Sequence, residues 1–165
     1  MPEAMYRQSL QEEAETMLSE ARMVLPGIQA LFGFQLIAAF SDRFTALQPG
    51  LQILHFGATT LVVIVVALMM APAAYHRIAG RGCVSRDFLT LGSRLISVAM
   101  APLAVAIALE LFIVGVAISN DATLAVVVAT LSLLMLAGAW LLMPLLVRAA
   151  RRPQPRPGRA ADVEM

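Results

Sequence analysis

The sequence has few charged residues, a single cysteine and no lysine. Charged side chains make up 14% of its 165 residues, against about 25% in a typical soluble domain. The one cysteine, Cys83, leaves nothing to complete an intrachain disulfide and no second thiolate for a metal site. The basic residues are twelve arginines, and the formal net charge of +1 does not indicate a nucleic-acid partner.

Motifs of enzyme chemistry are absent as well. The sequence has no phosphate-binding loop, no nucleophile spaced with a base, and no carboxylates or histidines at metal-ligand spacing. Its ten methionines lack the clustered spacing of a copper site and are typical of a membrane core. We therefore expect no enzymatic activity, no cofactor and no metal.

Apolar residues dominate what is present. They make up 59% of the chain, and the mean hydropathy is +0.79. A bilayer core about 30 Å thick needs roughly 20 apolar residues for each crossing helix, and four segments meet that requirement. They are residues 23–40, 51–75, 95–118 and 122–147. The sequence therefore predicts an all-α integral membrane protein with a four-helix bundle.

The arginines distinguish the two sides of the membrane. Four of them separate the second and third apolar segments and five lie in residues 148–165, whereas the two other connections contain only Arg43. By the positive-inside rule, both termini and the middle connection are cytoplasmic. The tail, residues 148–165, combines arginine with proline, so we expect it to be disordered and to anchor the topology.

Residues 1–22 are predicted to form an amphipathic cytoplasmic helix with an acidic face. Two arginines and five glutamates give this segment a net charge of −3, while residues 76–94, with four arginines and one aspartate, carry +3. One hypothesis is that the acidic helix docks on this basic connection, within a protomer or on a neighbour, or that either surface binds another protein. The alternative is a solvated helix that leads into the membrane.

Glu110 is a lone carboxylate inside the third apolar segment. Because charge at membrane depth is costly, such a residue indicates a functional site or a buried partner. Four polar side chains fall at a similar depth in the other segments: Gln35, Thr59, Thr60 and Thr130. We predict either an ion-binding or ion-pathway site made by Glu110 and these residues, or a hydrogen-bonded carboxyl group that holds helices together.

The third apolar segment also has two sides suited to protein contact. Glu110 lies on one side, and a stripe of small residues, which permits close helix packing, lies on the other. The stripe consists of Ala101, Ala104, Ala108 and Gly115. Since one side can pack within its own bundle and the other on a neighbour, we expect a homo-oligomer.

Further polar residues lie at the predicted helix ends, where we expect them to anchor the helices, with gating as the alternative. They are Asp42, Arg43, Tyr75, His76 and Arg77. His55 lies near the outer edge of the second apolar segment. It suggests a pH sensor or, more simply, an amphipathic side chain at the interface.

Three short stretches carry a resemblance to a known family. They read Gln-Ala-Leu-Phe-Gly-Phe at residues 29–34, Phe-Ser-Asp-Arg-Phe at 40–44 and Ala-Pro-Ala-Ala-Tyr-His-Arg at 71–77. Over roughly residues 10–148, the chain resembles an uncharacterised family of small four-span bacterial membrane proteins. Many members are actinobacterial, and some are labelled sodium:proton antiporters. The resemblance implies a multi-pass protein of the bacterial cytoplasmic membrane. Gln35 departs from the apolar residue expected in that family.

Two functions of different classes fit these observations. The first is a homo-oligomeric channel or transporter for protons or small cations, with Glu110 as the ion-handling group. The second is a non-catalytic membrane scaffold or an accessory subunit of a larger membrane complex, with a structural Glu110. The sequence has no inverted repeat of the kind found in many transporters, which favours passive permeation over coupled antiport.

Overall fold

The computed structural model describes residues 3–78 and 85–150, and all its regular elements in these ranges are helical. The helices are α1 (Glu3–Ala39), α2 (Asp42–Thr45), α3 (Pro49–Ile78), α4 (Arg86–Ser119), α5 (Ala122–Ala137) and α6 (Met143–Ala150), with a π-helical turn at Gly138–Leu142 between the last two. The predictions for Cys83, for residues 79–84 of the basic connection and for residues 151–165 of the tail lie outside the described residues.

Four stretches of helix are long and apolar enough to cross a membrane. They are Ser9–Ala39, Pro49–Ile78, Arg86–Ser119 and Ala122–Ala150. The predicted amphipathic segment and the first apolar segment are parts of one helix, because α1 continues through Pro26. The lengths and composition of these helices indicate a multi-pass membrane protein.

Polar residues define where the shorter connections begin and end. Ser85 accepts a hydrogen bond from the backbone N–H of Phe88 at 3.2 Å, which caps α4. At the other end of α4, Asn120 has φ 54, a left-handed conformation that asparagine tolerates better than most residues. Asp121 then caps α5 by accepting from the N–H of Thr123 at 2.8 Å. These caps let α4 and α5 form a tight antiparallel hairpin.

The core lies where α1, α3 and α4 meet. Helices α3 and α4 pack along each other, and α1 contacts both. The main cluster of buried side chains is apolar and small to medium in size, which allows close approach of the helices. It consists of Ala21, Ile28, Val62, Val65, Met69, Ala99, Leu103 and Ala106.

Both protein-facing sides of α4 are covered within this one chain. One side packs against α3 and α1, and the other packs against α5. At Gly115, a side-chain Cβ would lie only 2.9 Å from the Cβ of Ala125, so the small residue is needed for this contact. The two sides of α4 therefore do not by themselves require a neighbouring protomer, and the homo-oligomer stays a prediction.

The first part of α1 packs on the start of α4 through apolar side chains. Leu10, Ala14 and Met17 are buried against Phe88 and Leu89. The segment with the acidic face therefore contacts part of residues 76–94 in the same chain through an apolar junction. Its acidic side chains Glu12, Glu13, Glu15 and Glu20 are exposed.

A proline accounts for the π-helical turn in the fourth span. Pro144 has no backbone N–H, so it cannot close an α-helical hydrogen bond to the residue four positions earlier. Immediately before it, the N–H of Met143 donates to the carbonyl of Gly138, five residues back. Such a bulge widens one turn of a helix. Of the described side chains in α5, the π turn and α6, only Ala125 is buried.

Candidate functional site

Three polar side chains from three different helices meet inside the bundle. Gln35 comes from α1, His55 from α3 and Glu110 from α4. Gln35 is 3% exposed, and the side chains of His55 and Glu110 are 6% and 15% exposed. Polar groups this deeply buried are costly unless they are hydrogen-bonded to one another. We call these three residues the polar cluster.

Helical spacing explains why each member of the cluster points inward. On α3, His55 begins a buried row that continues through Ala58, Val62 and Val65 at the three- and four-residue spacing of one helix face. On α4, Glu110 lies two turns after the buried Leu103. The faces that bury the apolar core therefore carry the polar cluster at one end.

The contacts within the cluster are short and specific. Gln35 Nε2 donates a hydrogen bond to Glu110 Oε1 at 2.9 Å. His55 Nδ1 lies 3.1 Å from Glu110 Oε1 and 3.2 Å from Oε2. The other ring nitrogen, His55 Nε2, lies 3.0 Å from the backbone carbonyl oxygen of Gln35. Each residue of the cluster thus contacts both of the others.

The contact with the carbonyl fixes the protonation of one ring nitrogen of His55. A carbonyl oxygen only accepts hydrogen bonds, so Nε2 must carry a proton and donate it to Gln35. A pair with zero net charge would share one further proton, held either by His55 Nδ1, as imidazolium with carboxylate, or by Glu110, as imidazole with carboxylic acid. Either form avoids the cost of a net charge inside an apolar bundle.

One acceptor in the cluster is left over. Gln35 Oε1 is buried and receives no hydrogen bond from the residues that the structure describes. An unsatisfied buried acceptor costs about 1–3 kcal/mol. A proton donor that reached the cluster, such as a water molecule or a hydronium ion, would therefore be stabilised beside Glu110.

A short turn covers the cluster at the end of the bundle where α1 and α3 are joined. The ring of Phe44, in α2, packs edge-on against the ring of His55, with centroids 4.9 Å apart and an interplanar angle of 62°. Gln52 holds this turn by donating to the carbonyl oxygens of Phe44, Thr45 and Leu47, at 3.1, 3.4 and 3.2 Å. Phe44 is thus the side chain that screens His55 from that end.

Comparison with known proteins identifies the family of the chain. The family model for DUF6328, a family of unknown function, matches residues 5–144. The chain belongs to this family. Neither a curated protein nor a solved structure matches it. The match includes all three residues of the polar cluster of this DUF6328 member. The family description names no activity, so the antiporter label and the bacterial source stay predictions.

The three predicted threonines of this DUF6328 protein do not join Glu110. Thr59 donates to the carbonyl oxygen of His55 at 2.9 Å, one turn back on its own helix. Thr60 donates to the carbonyl oxygen of Phe56 at 2.8 Å and is exposed. Thr130 is exposed and lines an apolar groove between α4 and α5. Of the four side chains expected at this depth, Gln35 alone contacts Glu110 in the described part of the chain.

The predicted helix-end residues lie at the two ends of the bundle. Asp42 and Arg43 are exposed in α2, beside the turn that covers the cluster. At the opposite end, Tyr75 stacks on Phe88 with ring centroids 6.0 Å apart, and His76 lies 5.3 Å from the same ring. Arg77 is exposed. These aromatic contacts join the end of α3 to the start of α4, at the end of the bundle away from the polar cluster.

The sequence analysis did not place His55 beside Glu110. Its interpretation as an amphipathic surface side chain is wrong, because the residue is 5% exposed and contacts the carboxyl group of Glu110, while the role of a pH sensor stays a prediction. The signal was present in its spacing from Ala58, Val62 and Val65, which together form one face of a helix. Hydropathy along the chain does not give the direction of a side chain, whereas the face analysis does.

Proposed function

We propose that this protein conducts protons across a membrane through the His55–Glu110 pair, with Gln35 as the residue that orients and polarises the carboxyl group. The observation that carries the proposal is the contact of His55 Nδ1 with both carboxyl oxygens of Glu110, at 3.1 and 3.2 Å, while Nε2 faces the carbonyl oxygen of Gln35 at 3.0 Å. A buried acid facing a buried base is an arrangement that binds and releases protons.

The proposed step conserves protons and charge. A proton that reaches the neutral pair from one side gives imidazolium beside carboxylic acid, with a net charge of +1. Loss of a proton to the other side restores the neutral pair. The unpaired Gln35 Oε1 supports this step because it offers an acceptor to the donor that brings the proton.

A proton fits the cluster better than a metal cation does. His55 Nδ1 faces both carboxylate oxygens of Glu110 at 3.1 and 3.2 Å, so a bound cation would have to displace the ring. We therefore propose protons as the conducted species and small cations as the less favoured alternative.

Location and assembly are further parts of the proposal. The distribution of arginines and the resemblance to four-span bacterial proteins support the bacterial cytoplasmic membrane, with both termini in the cytoplasm. The polar cluster then lies toward the outer end of the bundle. We also propose a homo-oligomer that packs on the exposed fourth span, and chemical cross-linking of the purified protein measures the number of chains.

The test is proton flux into liposomes that contain the purified protein, driven by a potassium diffusion potential and read with a pH-sensitive dye. Glu110→Gln keeps the shape of the side chain and an acceptor for Gln35 but removes the titratable carboxyl group. Thr60→Val is the matched control, because Thr60 is exposed and bonds only its own helix. We expect flux from the wild type and from Thr60→Val and no flux from Glu110→Gln.

The second candidate is a membrane scaffold or an accessory subunit. It is favoured by the acidic side chains of α1, which are exposed beside the apolar junction between α1 and α4. In that case the polar cluster would only hold three helices together. Wild-type liposomes with no flux above empty liposomes, together with a lowered stability of Glu110→Gln, would contradict proton conduction and support this candidate.

A further inference from the structure

Three cavities that share lining residues follow α4 toward α6, and together we call them the cleft. The first is an apolar cavity of about 190 Å³ between α1, α3, α4 and Trp140. A second apolar cavity, of about 500 Å³, adjoins it, since Met100 and Trp140 line both. Val147 and Pro144 continue the apolar lining of the second cavity toward the end of α6.

The mouth of the cleft is polar and basic. A third cavity, of about 670 Å³, shares Arg148 with the second one and is also lined by Arg94 of α4 and Ser93. Glu13 of α1 is the one acidic residue that lines it, so the two guanidinium groups leave a net positive charge. The chemistry of the cleft therefore changes along its length, from two arginines at the mouth to an apolar interior.

Hydrogen-bond donors at the mouth can be assigned from the contacts already made. The hydroxyl groups of Thr90 and Ser97 donate to carbonyl oxygens one turn back, at 2.9 and 2.8 Å. These two hydroxyl groups therefore have no further proton to donate to a ligand. The remaining donors that line the mouth are the guanidinium groups of Arg94 and Arg148 and the hydroxyl group of Ser93. Guanidinium groups on two helices form a favourable arrangement for the oxygens of a phosphate.

The dimensions match a molecule with a charged head and an apolar chain. Met100 lies six residues beyond Arg94 on α4, or about 9 Å deeper, and Trp140 lies eight residues before Arg148, or about 12 Å deeper. A ligand with its anionic group at the arginines would therefore reach the apolar cavity with the first part of its chain. A free phosphate ion would leave that interior unused.

We propose that this cleft binds one anionic phospholipid, with its phosphate between Arg94 and Arg148 and one acyl chain along Met100 and Trp140. The inference goes beyond proton conduction and does not depend on it. The cleft lies at the arginine-rich end of the bundle, where anionic lipid is attracted to basic side chains. The exposed fourth span, with its π turn, forms one wall of the site and is stabilised by the bound lipid.

The experiment measures the thermal stability of the full-length protein in neutral detergent, and its mass in native mass spectrometry, as dioleoyl phosphatidylglycerol is added. Dioleoyl phosphatidylcholine and inorganic phosphate are added in parallel. Arg94→Gln, Arg148→Gln and the double variant test the head-group contacts. Ala139→Phe, whose side chain would enter the cleft, tests the acyl site with both arginines intact. Arg43→Gln, at the other end of the bundle, is the matched control.

We expect phosphatidylglycerol alone to stabilise the wild type and to remain bound at one molecule per chain. Each single arginine variant should weaken the apparent affinity for phosphatidylglycerol about fivefold, and the double variant should weaken it further. Ala139→Phe should weaken the affinity strongly, whereas Arg43→Gln should leave it nearly unchanged.

Equal stabilisation by phosphatidylcholine, or equal effects of Arg43→Gln and Arg94→Gln, would overturn the proposal. Stabilisation by phosphate alone would show an anion site without a lipid. A dimer that Ala139→Phe converts to a monomer would assign the cleft to a second copy.

Discussion

The two ends of the three-helix core are held together in different ways. At one end, Gln35, His55 and Glu110 join α1, α3 and α4 by directional hydrogen bonds of 2.9 to 3.2 Å. At the other end, the same helices meet through apolar contact. There, a Cβ at Gly92 would lie 2.7 Å from the side chain of Met17 and 3.4 Å from Pro72.

The difference separates two kinds of contact along the bundle. Close apolar packing does not change with protonation, so under the proposed function the Gly92 end would hold the relative positions of the helices while the polar cluster gains or loses a proton. Burying three polar groups is rarely a gain in stability over well-packed apolar residues. Helix association alone therefore does not require these three polar residues.

The largest expected effect comes from removing the base of the pair. His55→Leu would leave the carboxyl group of Glu110 with Gln35 as its remaining partner and would remove the contact of the ring with the backbone carbonyl of Gln35. We expect the free energy of unfolding to fall by about 3–5 kcal/mol, the cost of breaking a buried pair. Reversible unfolding in mixed detergent micelles measures this change.

The matched control replaces both members of the pair. His55→Leu combined with Glu110→Leu leaves no unpaired polar group of the pair in the core, so much of the lost stability should return. The double variant should still conduct no protons. If it loses the sum of the two single losses, the two side chains are not energetically coupled and the shared proton is contradicted.

A somewhat smaller effect is expected at the apolar end. Gly92→Leu would force its side chain into Met17 and Pro72 and should cost about 1–3 kcal/mol through overpacking. Gly92→Ala should cost less, because the end of the Met17 side chain can move. The same unfolding assay compares the two variants, and proton flux through Gly92→Ala should match the wild type. Equal stability of Gly92→Leu and the wild type would show that this junction does not fix the helices.

The sequence could predict the helices and part of the cluster because both depend on local properties. Apolar runs of sufficient length mark the spans whatever their neighbours are. The rise per residue assigns Gln35 and Glu110 to one depth, and the two side chains lie 2.9 Å apart in the structure. A polar side chain at a shared depth inside an apolar segment is costly unless it finds such a partner.

His55 could not be placed in the same way because apolar boundaries differ from helix boundaries. The third apolar segment begins at residue 95, whereas α4 begins at Arg86, so Glu110 seemed close to the middle of its span. Glu110 lies about 11 Å from the midpoint of α4, and His55 lies about 13 Å from the midpoint of α3, both toward the end of the bundle where α1 and α3 are joined. The pairing depends on these real helix lengths and on the direction of the side chains.

The covering turn is expected to have a modest effect on stability and a clear one on access. Phe44→Ala removes the edge-on contact with His55, which is worth about 0.5–1.5 kcal/mol. Because Phe44 screens the ring, His55 should also react faster with diethyl pyrocarbonate, measured by peptide mass spectrometry. His76, at the opposite end of the bundle, is the internal control. An unchanged rate at His55 would mean that the turn does not limit access to the polar cluster.

The smallest effect is expected at Thr130. This variant tests whether a polar side chain at the depth of Glu110 matters when it does not contact Glu110. This residue shares the depth predicted for Glu110 but is exposed in a groove between α4 and α5. Thr130→Val keeps the shape of the side chain, so stability should change by less than about 0.5 kcal/mol and proton flux should equal that of the wild type. Gln35→Leu, at the same depth but in contact with Glu110, should lower the flux in the parallel liposome assay. If Thr130→Val lowered the flux as much, the proton would follow a path between α4 and α5, and the polar cluster would serve the fold instead.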